Sequence, residues 1–299
     1  MKMFDPHIHM TSRTTDDYAA MAEAGIVAVV EPAFWLGQPR THVGSFEDYF
    51  LSLTGWERFR AAQFGIRHFC TMALNPKEAN NPDVAQGVID LLPRYLEKDS
   101  VVAVGEIGFD DMTPEEDTYF VQQMELARTF DLPVLIHTPH RDKKRGTEHT
   151  IKMVKELDFP EHLVLIDHNN EETLPLVLET GCYAGHSIYP HTKMDEVRMA
   201  MLVKKYGGER IIINSAADWG VADPLKVPKT VHAMRDLGVS EPEIEKIVWH
   251  NPIAFFGQSG RLDMGADSEL LPRDQRELFE GNSVLRGQTP VVDEGGVEE

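Results

Sequence analysis

The feature that most constrains the fold is an alternation of short apolar runs with helix-like segments. The runs are almost continuously apolar, which is typical of parallel strands that are covered on both faces. The predicted strands are Lys2–His9, Ile26–Pro32, Arg67–Leu74, Val101–Gly108, Pro133–Thr138, Leu163–His168, Cys182–Tyr189 and Arg210–Ser215. Eight strands that alternate with helices predict an α/β fold, a (β/α)8 TIM-like barrel or a distorted relative of one.

The segments between the strands carry helix signals. Thr113-Pro114-Glu115-Glu116 places a capping residue, a proline and a glutamate in the order that starts a helix. Further predicted helices are Asp48–Phe64, Asp83–Glu97, Thr147–Leu157, Met194–Tyr206, Pro228–Leu237, Glu241–Trp249 and Asn251–Phe256. No linker rich in proline, glycine or serine interrupts the pattern, so residues 1–257 are expected to form one domain.

The composition changes after Gly257. Residues 258–299 contain ten acidic and four basic residues and few large apolar ones. We expect an acidic C-terminal extension that is partly disordered and serves as a cover or an oligomer contact.

The charge balance limits the partners. The 299 residues include 29 Lys and Arg against 49 Asp and Glu, a net charge of -20. This argues against long nucleic acids and acidic membranes, because affinity for nucleic acid comes largely from neutralising phosphates. The chain has no apolar run of the roughly 18 residues that span a bilayer, no signal-peptide pattern, and only two cysteines. These features predict a cytoplasmic protein that acts on a small molecule, with its oligomeric state left open.

Histidines stand at the end of the first predicted strand. In Asp5-Pro6-His7-Ile8-His9, residues two apart on a strand face the same side, so His7 and His9 can point at one ion. Alone, this pair is weak evidence, because a chain with 13 histidines contains such pairs by chance.

The ends of later strands repeat the pattern with a fixed rhythm. Glu106, His137 and His168 close the fourth, fifth and sixth strands at intervals of 31 residues. One β-α-β unit takes roughly 30 residues, so the three occupy equivalent positions and converge at the carboxyl-end mouth of a barrel, where active sites lie. A buried glutamate needs a partner. The set therefore predicts a metal site, to which the eighth strand would add Asp218.

These motifs resemble the TatD-type metal-dependent hydrolases of the amidohydrolase superfamily. The resemblance rests on D-x-H-x-H in strand one, G-E-x-G in strand four, I-H-T in strand five and the histidine of strand six, and it covers about residues 1–257. It implies a barrel that binds one or two divalent ions. The implied ligands are His7, His9, Glu106, His137, His168 and Asp218.

The resemblance also implies roles. Glu106 would bridge two ions, and Asp218 would ligate the first ion and move protons, so these two are the predicted catalytic residues. The family usually ends strand eight in Glu-Thr-Asp, whereas here Asn214-Ser215-Ala216-Ala217 precede Asp218. Asn214 and Ser215 are alternatives to Asp218. A single-ion arrangement without Glu106 also stays open.

Imidazole and carboxylate ligands without thiolate suit zinc, manganese or iron. The predicted function is hydrolysis by a metal-activated water, with a small-molecule ester, amide, lactone or phosphoester as the expected substrate. The alternatives are a metal-dependent deoxyribonuclease or phosphodiesterase, and a catalytically idle metal-binding barrel that acts in an assembly.

Four further residues are candidate substrate contacts. His140 and Arg141 open a basic run after strand five, which would receive a phosphate or carboxylate or form a solvated loop. His186 and His191 flank the end of strand seven and would line the pocket. Asp5 and Asp167 each precede a ligand histidine, and they are interpreted either as loop-stabilising or orienting residues or as direct metal ligands.

Overall fold

A computed structural model describes residues 1–265 as a barrel of eight parallel strands in sequential order. The strands are β1 Met3–Asp5, β2 Ile26–Pro32, β3 Arg67–Met72, β4 Val101–Gly108, β5 Val134–His137, β6 Val164–Ile166, β7 Tyr183–Ser187 and β8 Ile211–Asn214. Next to the β1–β8 seam, the Ala216 N–H donates to the His7 carbonyl at 2.8 Å, and the His9 N–H donates to the Ala217 carbonyl at 2.8 Å. The predicted (β/α)8 TIM-like barrel is confirmed.

Helices cover the outside of the barrel. They are α1 Thr15–Glu23, α2 Val43–Leu51, α3 Glu57–Ala62, α4 Pro76–Ala79, α5 Pro82–Leu96, α6 Pro114–Thr129, α7 Lys143–Glu156, α8 Leu174–Leu178, α9 Glu196–Tyr206, α10 Lys226–Asp236, α11 Glu241–Glu245 and α12 Asn251–Phe256. A turn of π-helix joins α2 to α3, and another joins α11 to α12. Helices α1, α4 and α8 were not predicted, because segments of four to nine residues show too little apolar periodicity.

The first strand is shorter than predicted. It ends at Asp5 rather than His9 because Pro6 has no N–H to continue the ladder. His7 and His9 instead lie in the segment after β1, which the Ile8 N–H ties to the Val30 carbonyl at 3.1 Å. The prediction that both histidines lie on a strand is therefore wrong.

Aromatic side chains close the barrel at the amino ends of its strands. Phe255 and Phe256 of α12 pack against Phe4 and Tyr183, with ring centroids 6.3 Å apart for Phe4–Phe256 and 5.1 Å apart for Tyr183–Phe255. The Asn251 side chain fixes α12 there by donating to two carbonyls at the start of β8, at 2.7 Å each. We call this region the lower end.

The chain passes beneath the barrel after α12. The Arg261 guanidinium donates to the carbonyls of Lys98 and Val101, both at 3.2 Å, and so ties this segment to the start of β4. The remainder of the predicted acidic extension, residues 266–299, lies outside the described residues, and with it the prediction of partial disorder. Within residues 1–265, none of the helices has the length and apolar character needed to cross a membrane.

Candidate metal centre

Three predicted ligands surround one carboxylate oxygen at the opposite, carboxyl-end mouth of the barrel. Glu106 Oε1 lies 3.4 Å from His7 Nε2, 3.5 Å from His137 Nδ1 and 3.3 Å from His168 Nε2. Within the described residues this oxygen is buried and has no hydrogen-bond partner. An orphaned carboxylate oxygen among imidazole nitrogens fits a cation better than a hydrogen-bond network.

The spacing of the donor atoms also fits an ion. Single donor atoms of His7, Glu106 and His168 all lie within 4.8 Å of one another. His9 Nε2 is 3.1 Å from His7 Nε2, and the His9 ring stacks on Phe34 at 3.4 Å between centroids. Ligand atoms that each lie about 2 Å from a common ion are about 3–4 Å from one another, which is close to the spacing of these donor atoms. The residues present therefore fit a divalent metal.

Two glycines allow the end of β4 to carry Glu106 into the mouth. A Cβ on Gly105 would lie 2.6 Å from Cβ of Leu135 on β5, and one on Gly108 would lie 2.2 Å from the His137 carbonyl oxygen. Gly108 also has a φ of +130°, which other residues rarely adopt. The Gly-Glu-x-Gly motif is thus required by the close approach of β5.

Asp167 orients His7. Its Oδ2 lies 2.6 Å from His7 Nδ1, and the Asn214 amide donates to both of its oxygens at 3.1 Å. This contact directs Nε2 of His7 towards Glu106. Carboxylate–histidine contacts of this kind fix the tautomer and the ring of a metal ligand, so the structure supports the orienting interpretation of Asp167.

Ser187 orients His168 in the same way, and sequence reasoning missed it. Ser187 Oγ lies 2.6 Å from His168 Nδ1, so the Nε2 atom of His168 faces Glu106. His168 itself lies just past β6 with a φ of +64°. The partner Ser187 lies on the next strand, β7, so the sequence around His168 gave no indication of this contact.

The environment favours the protonation states that bind metal. Burial raises the pKa of Glu106, but the charge of His7 and the nearby His137 and His168 outweigh it and hold that pKa well below its usual range. Burial also lowers the pKa of both His9 and His168. An ionised carboxylate at Glu106 and neutral imidazoles at His9 and His168 are the forms that ligate metals. His7 differs, because burial lowers its pKa but the nearby Glu106 and Asp167 outweigh burial and raise that pKa.

Asp5 serves a different purpose. Burial raises its pKa to about 7, and hydrogen bonds from Ser215 and His7 partly offset that rise. Its Oδ1 accepts the Ser215 N–H at 3.1 Å and so links β1 to the end of β8. This contact fits a loop-stabilising role.

Asp218 lines the same pocket but does not belong to the group of donor atoms around Glu106. Its Oδ1 accepts the Tyr189 hydroxyl at 2.8 Å and the Gly220 N–H at 2.8 Å. Asn214 and Ser215, the alternatives, are engaged with Asp167 and Asp5 instead.

A pocket of about 230 Å³ opens above the centre. Of the four predicted substrate contacts, the structure places His140 in its wall, while Arg141 and His191 are exposed and lie outside it. Helix α7 begins at Lys143, so the basic run is half helical rather than a loop.

His186 is also outside the pocket wall. It is fully buried, and neither ring nitrogen has a hydrogen-bond partner in the described residues. Neighbouring residues on a strand face opposite sides, and Ser187 faces His168. His186 therefore points away from the centre into the layer between sheet and helices, where burial lowers its pKa to about 4.

The pocket has further walls that the sequence did not reveal. Trp35 and Trp219 meet edge to face at 5.9 Å, and Lys77 Nζ lies 4.4 Å from the Trp35 ring centroid. Lys193 lines the pocket on the β7 side. Phe34 also lines the pocket, next to Trp35.

Fold and site together define a (β/α)8 barrel of the metal-dependent hydrolase type. The sequence model of the TatD-related DNase family matches residues 4–257. The chain belongs to this family, and the predicted membership is confirmed. With it, the prediction of a metal-dependent hydrolase is confirmed at the level of the family.

Individual relatives agree. An uncharacterised metal-dependent hydrolase of Methanocaldococcus jannaschii is 28% identical over 257 residues, 85% of this chain and 99% of the relative. The crystal structure of a TatD-like protein from Archaeoglobus fulgidus has a TM-score of 0.72 and 31% identity, covering 85% of this chain and 99% of that one. A putative deoxyribonuclease of Danio rerio is 30% identical over 163 residues, 49% of this chain and 58% of the relative.

Proposed function

We propose that the protein hydrolyses a small-molecule ester, amide, lactone or phosphoester with one or two divalent ions, zinc, manganese or iron, bound by the predicted ligands. The observation that carries the proposal is the orphaned Glu106 Oε1 within 3.5 Å of three imidazole nitrogens. An ion held there would supply Lewis-acid activation of a water and of the scissile group.

The side chains of this pocket would bind the metal and transfer protons. Glu106 and the four histidines would hold the metal, with His7 and His168 oriented by Asp167 and Ser187. Asp218 would accept the proton of the attacking water and return it to the leaving group. The hydroxyl of Tyr189 and the N–H of Gly220 hold one carboxylate oxygen of Asp218 and leave the other available for this transfer.

A small substrate fits the pocket volume of about 230 Å³ and the net charge of -20. Long nucleic acids are disfavoured by that charge. We also propose a cytoplasmic location, which is supported by two buried free cysteines. The proposal specifies no oligomeric state.

The test compares Glu106→Gln with wild type by bound-metal analysis and by turnover of aryl phosphates, an aryl ester, a lactone and an amide. We expect Glu106→Gln to lose bound metal and at least about a thousandfold in turnover, as removal of a central electrostatic group does. Glu125→Gln, on the exposed surface of α6, is the matched control and should leave both unchanged. Full metal content and full turnover in both Glu106→Gln and His137→Ala would contradict the proposal.

A deoxyribonuclease is the second candidate, supported by the family description and by the name of the Danio rerio relative. Hydrolysis of single-stranded DNA at ordinary ionic strength would favour it over a small-molecule hydrolase. A catalytically idle barrel is the third candidate. Any turnover that Asp218→Asn abolishes would exclude it.

A further inference from the structure

Lys193 stands on a fixed backbone at the edge of the metal centre. It lies between β7 and α9, where the Met194 N–H donates to the Ser187 carbonyl at 3.2 Å. The Lys193 carbonyl accepts from the Arg198 guanidinium at 3.0 Å. The lysine side chain therefore projects into the pocket from a backbone held on both sides.

The Lys193 ammonium has no anionic partner. Among residues 1–265 the ammonium makes no ion pair and no hydrogen bond, and its Nζ lies 5.4 Å from the centroid of the Tyr189 ring. Two lysines of α10 do have such partners: Lys226 contacts Glu196 at 2.6 Å, and Lys229 contacts Asp223 at 2.5 Å. Lys193 is half-buried, and an ammonium that loses part of its hydration without gaining an anionic partner is unfavourable.

The Lys193 charge acts on the centre itself. Burial lowers the pKa of Lys193, and the carboxylates of Glu106, Asp167 and Asp218 partly oppose this without forming an ion pair with it. In turn, burial and the Lys193 charge together lower the pKa of His168. The ammonium and the donor atoms thus share one electrostatic environment.

A fixed cation beside a site for a divalent cation is repelled unless an anion lies between them. Lys77, across the pocket, differs because its charge is already opposed by Asp110 at 3.7 Å. We infer that Lys193 binds an anionic oxygen of the substrate, on a phosphoryl or carboxylate group, and makes the pocket selective for anionic over neutral substrates. This inference rests on the proposed function and names the substrate class of the same site.

The first test measures the binding of inorganic phosphate to metal-loaded protein by calorimetry. Lys193→Met should weaken phosphate binding about tenfold to a hundredfold, the value of a charge-assisted hydrogen bond, and Lys193→Arg should restore most of it. Lys204→Met, at an exposed position of α9, is the control and should bind as wild type does. Acetate in place of phosphate distinguishes a carboxylate preference from a phosphoryl preference.

The second test compares an aryl phosphate with a neutral aryl ester. Lys193→Met should raise KM for the phosphate and leave kcat/KM for the ester unchanged. Unchanged phosphate and acetate affinities, or equal losses on both substrates, would overturn the inference. If Lys193→Met does not fold, Lys193→Gln, which also removes the charge, replaces it in both tests. Phosphate binding is measured without turnover. The inference about Lys193 can therefore fail while the Glu106→Gln result supports the proposed function, and the proposed function can fail while Lys193 still binds phosphate.

Discussion

The two ends of the barrel interior differ in polarity: the lower end is apolar and the upper end is polar. At the lower end, Phe4, Phe255 and Phe256 are fully buried and pack on one another. At the upper end, the carboxyl-end mouth, the described residues leave buried polar atoms of Asp5, His9, Trp35, Glu106 and Asn214 without a hydrogen-bond partner.

This difference separates stability from chemistry. Apolar packing at the lower end stabilises the fold, whereas orphaned polar atoms at the upper end cost free energy that a bound metal ion would offset. In (β/α)8 enzymes the carboxyl-end face carries the active site, and the opposite face carries stability. Each prediction below tests whether a substitution at one end leaves the other unaffected.

The largest effect is expected from Phe256→Ala at the lower end. Loss of this fully buried ring should lower the free energy of unfolding by about 3–5 kcal/mol, while the folded fraction keeps its metal stoichiometry and kcat. Denaturant unfolding and metal analysis measure the two quantities. Phe59→Ala, at a side chain that is 40% exposed, should cost much less. Metal loss in folded Phe256→Ala would show that the ends are coupled.

A smaller effect is expected from Asp167→Asn at the upper end. The amide cannot supply the carboxylate that lies 2.6 Å from His7 Nδ1, so metal affinity should fall about tenfold to a hundredfold. Competition with a chelator of known affinity measures it. Asp90→Asn, at an exposed position of α5, should change nothing. Equal affinities in wild type and Asp167→Asn would remove Asp167 from the centre.

Much of the fold could be predicted because each strand left its own local pattern. Every predicted strand contains an observed one, and the boundaries differ by a few residues where a local group intervenes, as Pro6 does after β1. Short helices such as α4, with four residues, left no pattern to detect.

The site was predictable only where it follows the strand–helix rhythm. Glu106 and His137 both stand near the carboxyl ends of neighbouring strands, so their spacing brought them close together. The predicted exact equivalence is wrong, because Gly108 rather than Glu106 pairs with His137. The partners of the histidines could not be found this way, because Asp167 meets His7 across 160 positions and Ser187 meets His168 across 19. Such contacts depend on how the barrel closes, which no local pattern encodes. Lys193 was missed for the same reason.

The smallest effect concerns Lys143, which follows β5 at the upper end. Burial, with the Lys193 charge, lowers its pKa from 10.5 to about 7, and its ammonium donates to Thr138 Oγ1 at 3.0 Å. Between pH 7 and about 10 the unfolded chain therefore holds a proton that the folded protein lacks, so stability rises with pH in this window. Below pH 7 both states are protonated and the full cost of the charge remains.

Lys143→Met should therefore stabilise the protein most below pH 7, by about 1 kcal/mol for this partly exposed group, and the gain should shrink as the pH rises towards 10. Urea unfolding of the metal-free protein from pH 6 to pH 10 measures the difference. Thr138 keeps its own hydrogen bond to the Asp167 carbonyl at 2.7 Å, so little else is disturbed. Lys144→Met, at an exposed neighbour, should show no such slope. If the stability gained by Lys143→Met does not vary with pH, the gain comes from better packing. It would then not come from removing a partly dehydrated ammonium at the upper end.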